Sequence, residues 1–358
     1  MTSSSTTATR PLGVGFLGAG PATQTIHLPT LARLGGLFRV VSVMDVDLGL
    51  AQEVARPASA KAVATQDELL ADPEVDCVVV CSPNSLHSAQ VIAASERGVK
   101  AILCEKPFAT SAAEGRAAVA AVTSSGVPLV VGAMHVFDPA WEGVRERWWP
   151  ELGDIHTVRS TVILPPNAAS ENAASEPVPG RPPMAPPAGV PDPTRLRNSI
   201  LSLAIHDLPL IRALAGPDAA VTVRSAALVA PFGYVVDAQV GGRSVLLMAS
   251  FSAGARPSWT VEAYGPASAL TLAFTPSYVH AGSAVATLTS RGLVRTLPAD
   301  PVNGYEAEWR AIADIVAGRR PAPDPNDLLA DLTFAIEIAD QAARFLESEP
   351  AMTTEVAR

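Results

Sequence analysis

The sequence is poor in cysteine, aromatic residues and positive charge. The three cysteines, Cys77, Cys81 and Cys104, lie in or beside apolar runs and lack the spacing of metal ligands. They are expected to be reduced, packed thiols in a cytoplasmic protein, and no metal site is predicted. Acidic residues number 35 against 26 lysines and arginines, and this balance argues against a nucleic-acid partner.

The chain also has no apolar run of membrane-spanning length, so no membrane partner is expected. Residues 1–10, MTSSSTTATR, lack the apolar core of a signal peptide and are interpreted as a disordered tail. The 358 residues exceed what one hydrophobic core usually serves, and the length therefore predicts two domains.

Short apolar runs alternate with alanine-rich helical segments from residue 11 to residue 136. Strands are predicted at 12–18, 38–45, 75–82, 99–105 and 128–134. Strands that are apolar on both faces and alternate with helices are typical of a parallel sheet covered on both sides. Residues 11–136 are therefore predicted to form a Rossmann dinucleotide-binding domain.

The pattern changes in residues 137–358, where alternating strands follow one another with turn residues between them. This succession predicts a largely antiparallel sheet, interrupted by one helix at 200–216. Two helices, near 303–318 and 325–347, close the chain. These C-terminal helices are expected to pack back on the first domain.

The segment 165–193 contains ten prolines among its 29 residues. Proline removes backbone donors, so this segment is predicted to be neither a core helix nor a strand. Two interpretations stay open: a solvated loop, which is favoured, and a lid or oligomerisation arm.

A glycine-rich turn follows the first predicted strand. Gly18 permits a tight turn and Gly20 lets the backbone approach a pyrophosphate, with Pro21 and Ala22 completing the predicted cofactor-binding loop. The third position of the GxGxxG pattern holds Thr23, which weakens the motif taken alone.

Asp45 ends the second predicted strand, where a carboxylate can accept the two ribose hydroxyls of a dinucleotide. The same carboxylate would repel a 2′-phosphate. The predicted cofactor is therefore NAD, with NADP less favoured.

The third predicted strand ends at SPNSLH, at the edge where open α/β sheets bind ligands. Ser82, Pro83, Asn84 and His87 are assigned to the cofactor site. Asn84 also suits the N-cap of a helix beginning at Ser85, and His87 suits a structural role better than a catalytic one.

The next strand ends at CEKPFAT, which places Glu105 and Lys106 at the same edge, beside the expected nicotinamide. With GFLGAGPATQTIHLP, VVVCSPNSLH, GDIHTVRS and IHDLPLIRALAG, this motif resembles the Gfo/Idh/MocA oxidoreductases, which include glucose/fructose oxidoreductase and inositol dehydrogenase. The resemblance implies a C-terminal α/β domain with a large open sheet, and a homodimer or homotetramer. It also implies that Lys106 lies beside the reacting carbon and takes part in proton transfer. Glu105 is expected to hold Lys106 in place.

His206 occupies the family's catalytic histidine position. Relatives carry an aspartate four residues earlier and an acid three residues later, where this chain has Ser202 and Pro209. Without a carboxylate partner His206 is expected to be neutral near pH 7 and able to act as a base. Asp207 is adjacent in sequence to His206 but is expected to point about 100° away from it around the helix, so it is a poorer partner than an acid at position 202. Pro209 predicts a bend or restart just after His206.

His135 stands where relatives often carry arginine. A phosphate or carboxylate on the substrate would favour that arginine, so a neutral polyol is expected. His135, Ser202, Asp207 and Trp141 are assigned to the substrate site, and packing is the favoured role of Trp141.

Two function classes remain open. The favoured one is an NAD-dependent oxidoreductase that acts on CH–OH groups of a sugar, cyclitol or related polyol, with Lys106 and His206 catalytic. The alternative is a non-catalytic NAD-binding sensor or regulator on the same fold, which the missing acid suits.

Overall fold

The computed structural model describes five stretches of the chain: residues 10–164, 189–230, 232–251, 257–276 and 280–348. Most of the predicted tail at 1–10 and of the proline-rich segment at 165–193 lies outside the described residues. The interpretations of these two segments therefore stay predictions.

The chain divides into two compact units. The first unit extends to Ala109 and also contains Arg116–Gly132 and Trp309–Pro325. The second unit contains Thr110–Gly115, Ala133–Glu308 and the residues that follow Pro325. The first unit therefore includes a segment from near the C-terminal end of the chain.

A six-stranded parallel sheet forms the core of the first unit, and it confirms the predicted Rossmann fold. Its strands are β1 (Leu12–Leu17), β2 (Phe38–Met44), β3 (Lys61–Val63), β4 (Cys77–Val80), β5 (Ala101–Glu105) and β6 (Leu129–Gly132). They lie in the order β3-β2-β1-β4-β5-β6. The order reverses between β1 and β4, and ligands of open α/β sheets bind at such a point.

The sequence predicted five of these six strands and missed β3. This strand has three residues and lies at the edge of the sheet, with its first residue exposed. It is shorter than the apolar runs that indicate a strand. Tertiary pairing with β2 defines it instead.

Eleven α-helices occur among the described residues. They are α1 (Leu28–Arg33), α2 (Leu48–Ala55), α3 (Gln66–Ala71), α4 (Asn84–Arg97), α5 (Ala112–Ser125), α6 (Pro139–Arg147), α7 (Trp149–Leu152), α8 (Asp192–Ser202), α9 (Leu208–Ala215), α10 (Gly304–Val316) and α11 (Pro325–Ser348). The last two confirm the predicted C-terminal helices. Within the part of the chain that the structure describes, no helix has the length and hydropathy needed to cross a bilayer.

The second unit is built on an eight-stranded sheet. Its strands are β7 (Thr157–Leu164), β8 (Val221–Leu228), β9 (Gly233–Val240), β10 (Arg243–Phe251), β11 (Ser258–Tyr264), β12 (Ser268–Phe274), β13 (Val285–Ser290) and β14 (Leu293–Leu297). Their order is β14-β13-β12-β11-β7-β10-β9-β8. The β7–β10 pair is parallel and the other pairs are antiparallel, which confirms the predicted open, mostly antiparallel sheet.

Helices cover one face of this sheet. Helix α8 contacts β8 and β9, and helix α9 contacts β7 and β10. In β9, Val236 and Ala238 are fully buried while Val235 and Gln239 on the other face are exposed. The period of two in hydrophobicity therefore reflects one packed and one open face.

The single helix predicted at 200–216 is wrong, because the segment is broken. Helix α8 ends at Ser202, a 3₁₀ turn covers Ala204–His206, and α9 begins at Leu208. Pro209 lies in the first turn of α9, where its missing N–H costs little. The predicted restart after His206 is therefore confirmed.

All three cysteines lie within the described residues, and each is buried and outside any disulfide. Burial raises the pKa of Cys77 to about 12. Burial likewise raises the pKa of Cys104 well above its usual value. These two thiols stay protonated near neutral pH, as expected for packed side chains.

Candidate functional site

The glycine turn after β1 has a backbone that only glycine fits. Gly18 has a φ of +107°, and a Cβ added there would lie 2.6 Å from the carbonyl oxygen of Cys81. Thr23 donates its hydroxyl hydrogen to the carbonyl oxygen of Gly18 at 2.7 Å. The residue that weakened the sequence motif therefore stabilises the turn.

The helical segment after this turn begins as a π-helix, Thr23–His27, and continues directly into α1. A Cβ added to Gly20 would meet its nearest atom, the carbonyl oxygen of Cys81, only at 3.9 Å. Gly20 therefore has open space above its backbone. That space suits a phosphate group approaching the start of a helix.

Asp45 is half-buried at the end of β2 and is held by two backbone groups. One carboxylate oxygen accepts from the N–H of Ala19 at 2.9 Å, and the other accepts from the N–H of Asp47 at 3.0 Å. An ionised carboxylate offers about four acceptor positions, so two remain for ribose hydroxyls. Gly18, Thr23 and Asp45 therefore fit a dinucleotide.

The loop after β4 places Ser82 and Asn84 at the same edge of the sheet. Helix α4 begins at Asn84, with Pro83 in the capping position and no side-chain cap. The proposed N-cap role of Asn84 is therefore wrong, because the helix starts one residue earlier than predicted. Asn84 is exposed, so its amide remains accessible to a ligand.

His87 links the two loops that follow β4 and β5. Its Nδ1 lies 2.8 Å from the carbonyl oxygen of Pro107, and its Nε2 lies 2.8 Å from the carbonyl oxygen of Ser82. Both partners are carbonyl oxygens, which only accept, so a ring N–H of His87 can donate to either loop. This buried ring therefore acts as a structural clamp between the loops.

Lys106 directly follows Glu105, the last residue of β5, and the Lys106–Pro107 peptide bond is cis. Burial lowers the pKa of Lys106, and the charge of Glu105 opposes part of that change. Burial alone would raise the pKa of Glu105, but its hydrogen bond with His27 and the charge of Lys106 lower it below the usual value. An ionised glutamate therefore stands beside a lysine that gives up its proton more readily than usual.

The second unit holds a buried carboxylate at Asp207. It is bound by Nδ1 of His135 at 2.7 Å, by the hydroxyl of Ser160 at 2.6 Å and by the indole N–H of Trp259 at 2.8 and 3.0 Å. Asp207 is 0% exposed. Three other side chains therefore engage the acid that sequence reasoning offered as a substitute partner for His206.

His206 is also buried, and its ring lies among aromatic neighbours. Its centroid is 5.6 Å from that of Trp259 and 6.0 Å from that of His135. Ser202 is exposed and donates its hydroxyl hydrogen to the carbonyl oxygen of Ser199 at 3.1 Å. Because the α-helix ends at Ser202, the four-residue spacing no longer places the two side chains on one helix face.

The two remaining assigned residues are largely inaccessible. His135 stacks on Phe274, with centroids 3.7 Å apart and planes inclined by 17°. Trp141 is 2% exposed and packs edge-on against Trp149. The packing interpretation of Trp141 suits this position better than contact with a sugar.

Sequence reasoning missed the partners of these residues. Ser160 and Trp259 lie on β7 and β11, and they meet Asp207 only because the strands pair. His27 and Trp309, which pack near Glu105, were missed as well. The GFLGAGPATQTIHLP motif contained His27, but nothing local to it indicated a partner 282 residues away.

We expect Asp207→Asn to lower the free energy of unfolding by about 2 kcal/mol or more, because the amide leaves buried donors without an acceptor. Urea unfolding measures this change. The control is Asp192→Asn, whose side chain is 65% exposed and which should cost about 0.5 kcal/mol or less. Equal effects of the two substitutions would show that the buried network contributes no more to the free energy of unfolding than an exposed aspartate does.

The fold and the glycine turn define a dinucleotide-binding Rossmann protein. Residues 12–133 match the Gfo/Idh/MocA model, which describes an oxidoreductase family with an NAD-binding Rossmann fold. These residues of the chain are thus similar to the NAD-binding domain of the Gfo/Idh/MocA oxidoreductases.

Similar proteins extend this comparison. Inositol 2-dehydrogenase 2 of Paenarthrobacter aurescens is 34% identical over 172 residues, which are 46% of this chain and 51% of that protein. The chain thus spans about half the length of this curated relative.

Two solved structures show the same fold over most of the chain. UDP-N-acetylglucosamine 3-dehydrogenase GnnA of Acidithiobacillus ferrooxidans has a TM-score of 0.71 at 20% identity, covering 93% of this chain and 98% of that one. KijD10, a 3-ketoreductase of Actinomadura kijaniata solved with NADP and TDP-benzene, has a TM-score of 0.69 at 18% identity, covering 92% and 97%.

Proposed function

We propose that the protein is an NAD-dependent oxidoreductase acting on a CH–OH group of a sugar, cyclitol or related polyol. NAD supplies the hydride acceptor, and the protein's residues bind and orient the reactants and handle the hydroxyl proton. Relatives named as an inositol dehydrogenase, a sugar-nucleotide dehydrogenase and a ketoreductase support this reaction class.

The observation that carries the proposal is the Glu105–Lys106 pair at the carboxyl end of β5. A lysine with a lowered pKa at a ligand-binding sheet edge is unusual for a purely structural residue. Its ammonium would stabilise negative charge that develops on a substrate oxygen. We assign Lys106 this role.

We assign to His206 the removal of the proton from the substrate hydroxyl. The imidazole is the side chain best suited to exchange a proton near neutral pH. The exposed Ser202 cannot supply the negative charge that relatives place four residues before their histidine. His206 is therefore proposed to act as a neutral base.

The cofactor site is proposed to prefer NAD, because Asp45 faces the glycine turn and would repel a 2′-phosphate. We expect NAD to bind at least tenfold more tightly than NADP, a difference of about 1.4 kcal/mol. Fluorescence titration of the full chain with each cofactor measures the ratio. Asp45→Asn should bring the two affinities together.

Asp47→Asn is the matched control for that titration. Asp47 is exposed and caps α2 by accepting from the N–H of Leu50 at 3.2 Å. Its replacement should leave the NAD preference intact. Equal binding of both cofactors by the parent protein would mean that Asp45 does not contact the ribose, and NADP would then be the better assignment, as in the KijD10 complex.

A second candidate function is a non-catalytic NAD-binding sensor or regulator. The observation that favours it is the serine at position 202, exposed and hydrogen-bonded to its own helix. A screen of sugars and cyclitols with NAD, following NADH absorbance, separates the two functions. Tight NAD binding with no turnover on any polyol would support the sensor.

We also propose a cytoplasmic homo-oligomer. Three buried cysteines that form no disulfide suit a reducing compartment. The uncovered face of the eight-stranded sheet carries exposed apolar side chains, including Val235 and Leu246, that would suit a second subunit. Sedimentation of the purified protein would distinguish a dimer or tetramer from a monomer.

A further inference from the structure

A chain of hydrogen bonds in the first unit leads to the backbone of Lys106. The indole N–H of Trp309 donates to Nδ1 of His27 at 3.2 Å, and Nε2 of His27 lies 3.1 Å from a carboxylate oxygen of Glu105. The second carboxylate oxygen accepts from the backbone N–H of Lys106 at 3.2 Å. Trp309 is 0% exposed and His27 is 1% exposed.

The chemistry of these groups fixes the direction of each bond. An indole nitrogen only donates, so Nδ1 of His27 must accept. The ring N–H that faces Glu105 is therefore on Nε2, which donates to the carboxylate. Trp309 thus selects the tautomer of His27 that can bind the carboxylate.

Aromatic packing prevents the His27 ring from turning away. The ring of Trp309 meets the ring of His27 edge-on at 5.8 Å and the ring of Phe38 edge-on at 4.9 Å. Phe16 lies 6.1 Å from His27. Phe16 and Phe38 belong to β1 and β2, so the central sheet holds the imidazole and indole in place.

Glu105 fits closely against the neighbouring strand. A Cβ added to Gly132, on β6, would lie 3.2 Å from the carboxyl carbon of Glu105. Among the described residues of the first unit, the ionisable groups that act on the carboxylate are His27 and Lys106, and burial keeps the adjacent Cys104 thiol protonated. Glu105 is therefore held by packing and by these two neighbours.

We propose that His27, oriented by Trp309, is a positioning residue that holds the Glu105 carboxylate against Lys106 and thereby controls the protonation of Lys106. Trp309 lies outside residues 12–133, which match the family model. The C-terminal segment Trp309–Pro325 thus completes the lysine site of the Rossmann unit. The inference rests on the proposed function only for the statement that Lys106 takes part in the reaction.

The first test is nitrogen NMR of the histidine side chains in the full-length protein. The chain has six histidines, so the His27 signals can be assigned by substitution. We expect His27 to be protonated on Nε2 alone, and Trp309→Phe to give a mixture of tautomers because the indole donor is lost. Trp141→Phe, at another buried tryptophan, should leave His27 unchanged. Protonation on Nδ1 in the parent protein would overturn the proposal.

The second test follows the titration of Lys106 by NMR, in a chain with only three lysines. His27→Phe should move the Lys106 midpoint down by about one pH unit, because a less ionised Glu105 supports the ammonium less. Glu105→Gln should lower the midpoint at least as far. In the double variant, His27→Phe with Glu105→Gln, the Lys106 midpoint should fall no further than in Glu105→Gln alone, since His27 acts through Glu105.

His27→Gln provides the conservative comparison, because its amide can donate to Glu105. The titration midpoint of Lys106 in this variant should lie close to that of the parent protein. Additive shifts in the double variant, or an unchanged midpoint in His27→Phe, would contradict the proposal. Both tests work without turnover, so a protein that oxidises no polyol but shows these shifts would count against the proposed function alone.

Discussion

Replacing Lys106 by alanine should lower kcat about a hundredfold or more while leaving NAD affinity nearly unchanged. The ammonium of Lys106 is proposed to stabilise charge that develops on the substrate oxygen, and this interaction strengthens in the transition state. A loss confined to kcat is the signature of such an interaction. The measurement combines steady-state kinetics on the substrate found by the screen with NAD titration.

Lys61→Ala is the matched control for that experiment. Lys61 has a 60% exposed side chain and forms an ion pair with Asp72 at 2.7 Å. The Lys61–Asp72 ion pair has no proposed role in the reaction. Near-normal turnover of Lys106→Ala would show that its lowered pKa reflects burial without catalytic use.

The residues of the Rossmann sheet could be predicted because their signals are local. Runs apolar on both faces gave five strands, and glycine at position 18 marked a turn that needs a positive φ. Each of these signals is contained in a few consecutive residues. Pro209 was equally informative, because the missing N–H acts on its immediate neighbours.

The buried polar networks could not be predicted, because distant segments make them. His135 and Asp207 are 72 residues apart and meet at 2.7 Å. From the sequence, Asp207 was considered as a partner for the adjacent His206. In the structure its carboxylate is bound by the side chains of three other residues. Proximity in the chain was a poor guide to proximity in the fold.

The roles of Thr23 and Asn84 depend on local backbone geometry that the sequence pattern does not resolve. Thr23 was expected to weaken the glycine motif, yet its hydroxyl donates to the carbonyl oxygen of Gly18 at 2.7 Å. Asn84 was expected to cap a helix that in fact starts with it. A shift of one residue or one hydrogen bond lies below what spacing alone can resolve.

His206→Ala should reduce kcat/KM for polyol oxidation about a hundredfold or more, since general-base catalysis typically contributes this much. In the parent protein we expect the rate to rise with pH as the base loses its proton. The variant should lose that rising limb. The measurement is a pH profile of kcat/KM for both proteins.

Two further variants make the result specific to His206. His156→Ala removes an exposed histidine and should keep both the parent kcat/KM and its rise with pH. Ser202→Asp restores the acid that relatives carry at this position. The α-helix ends at residue 202 and the side chain is exposed, so solvent should screen the new charge. The rising part of the pH profile should therefore stay near its position in the parent protein. A large shift to higher pH would show that the acid still reaches His206. A parent-like profile in His206→Ala would remove His206 from the mechanism and leave Lys106 as the base, because three donors already hold the Asp207 carboxylate.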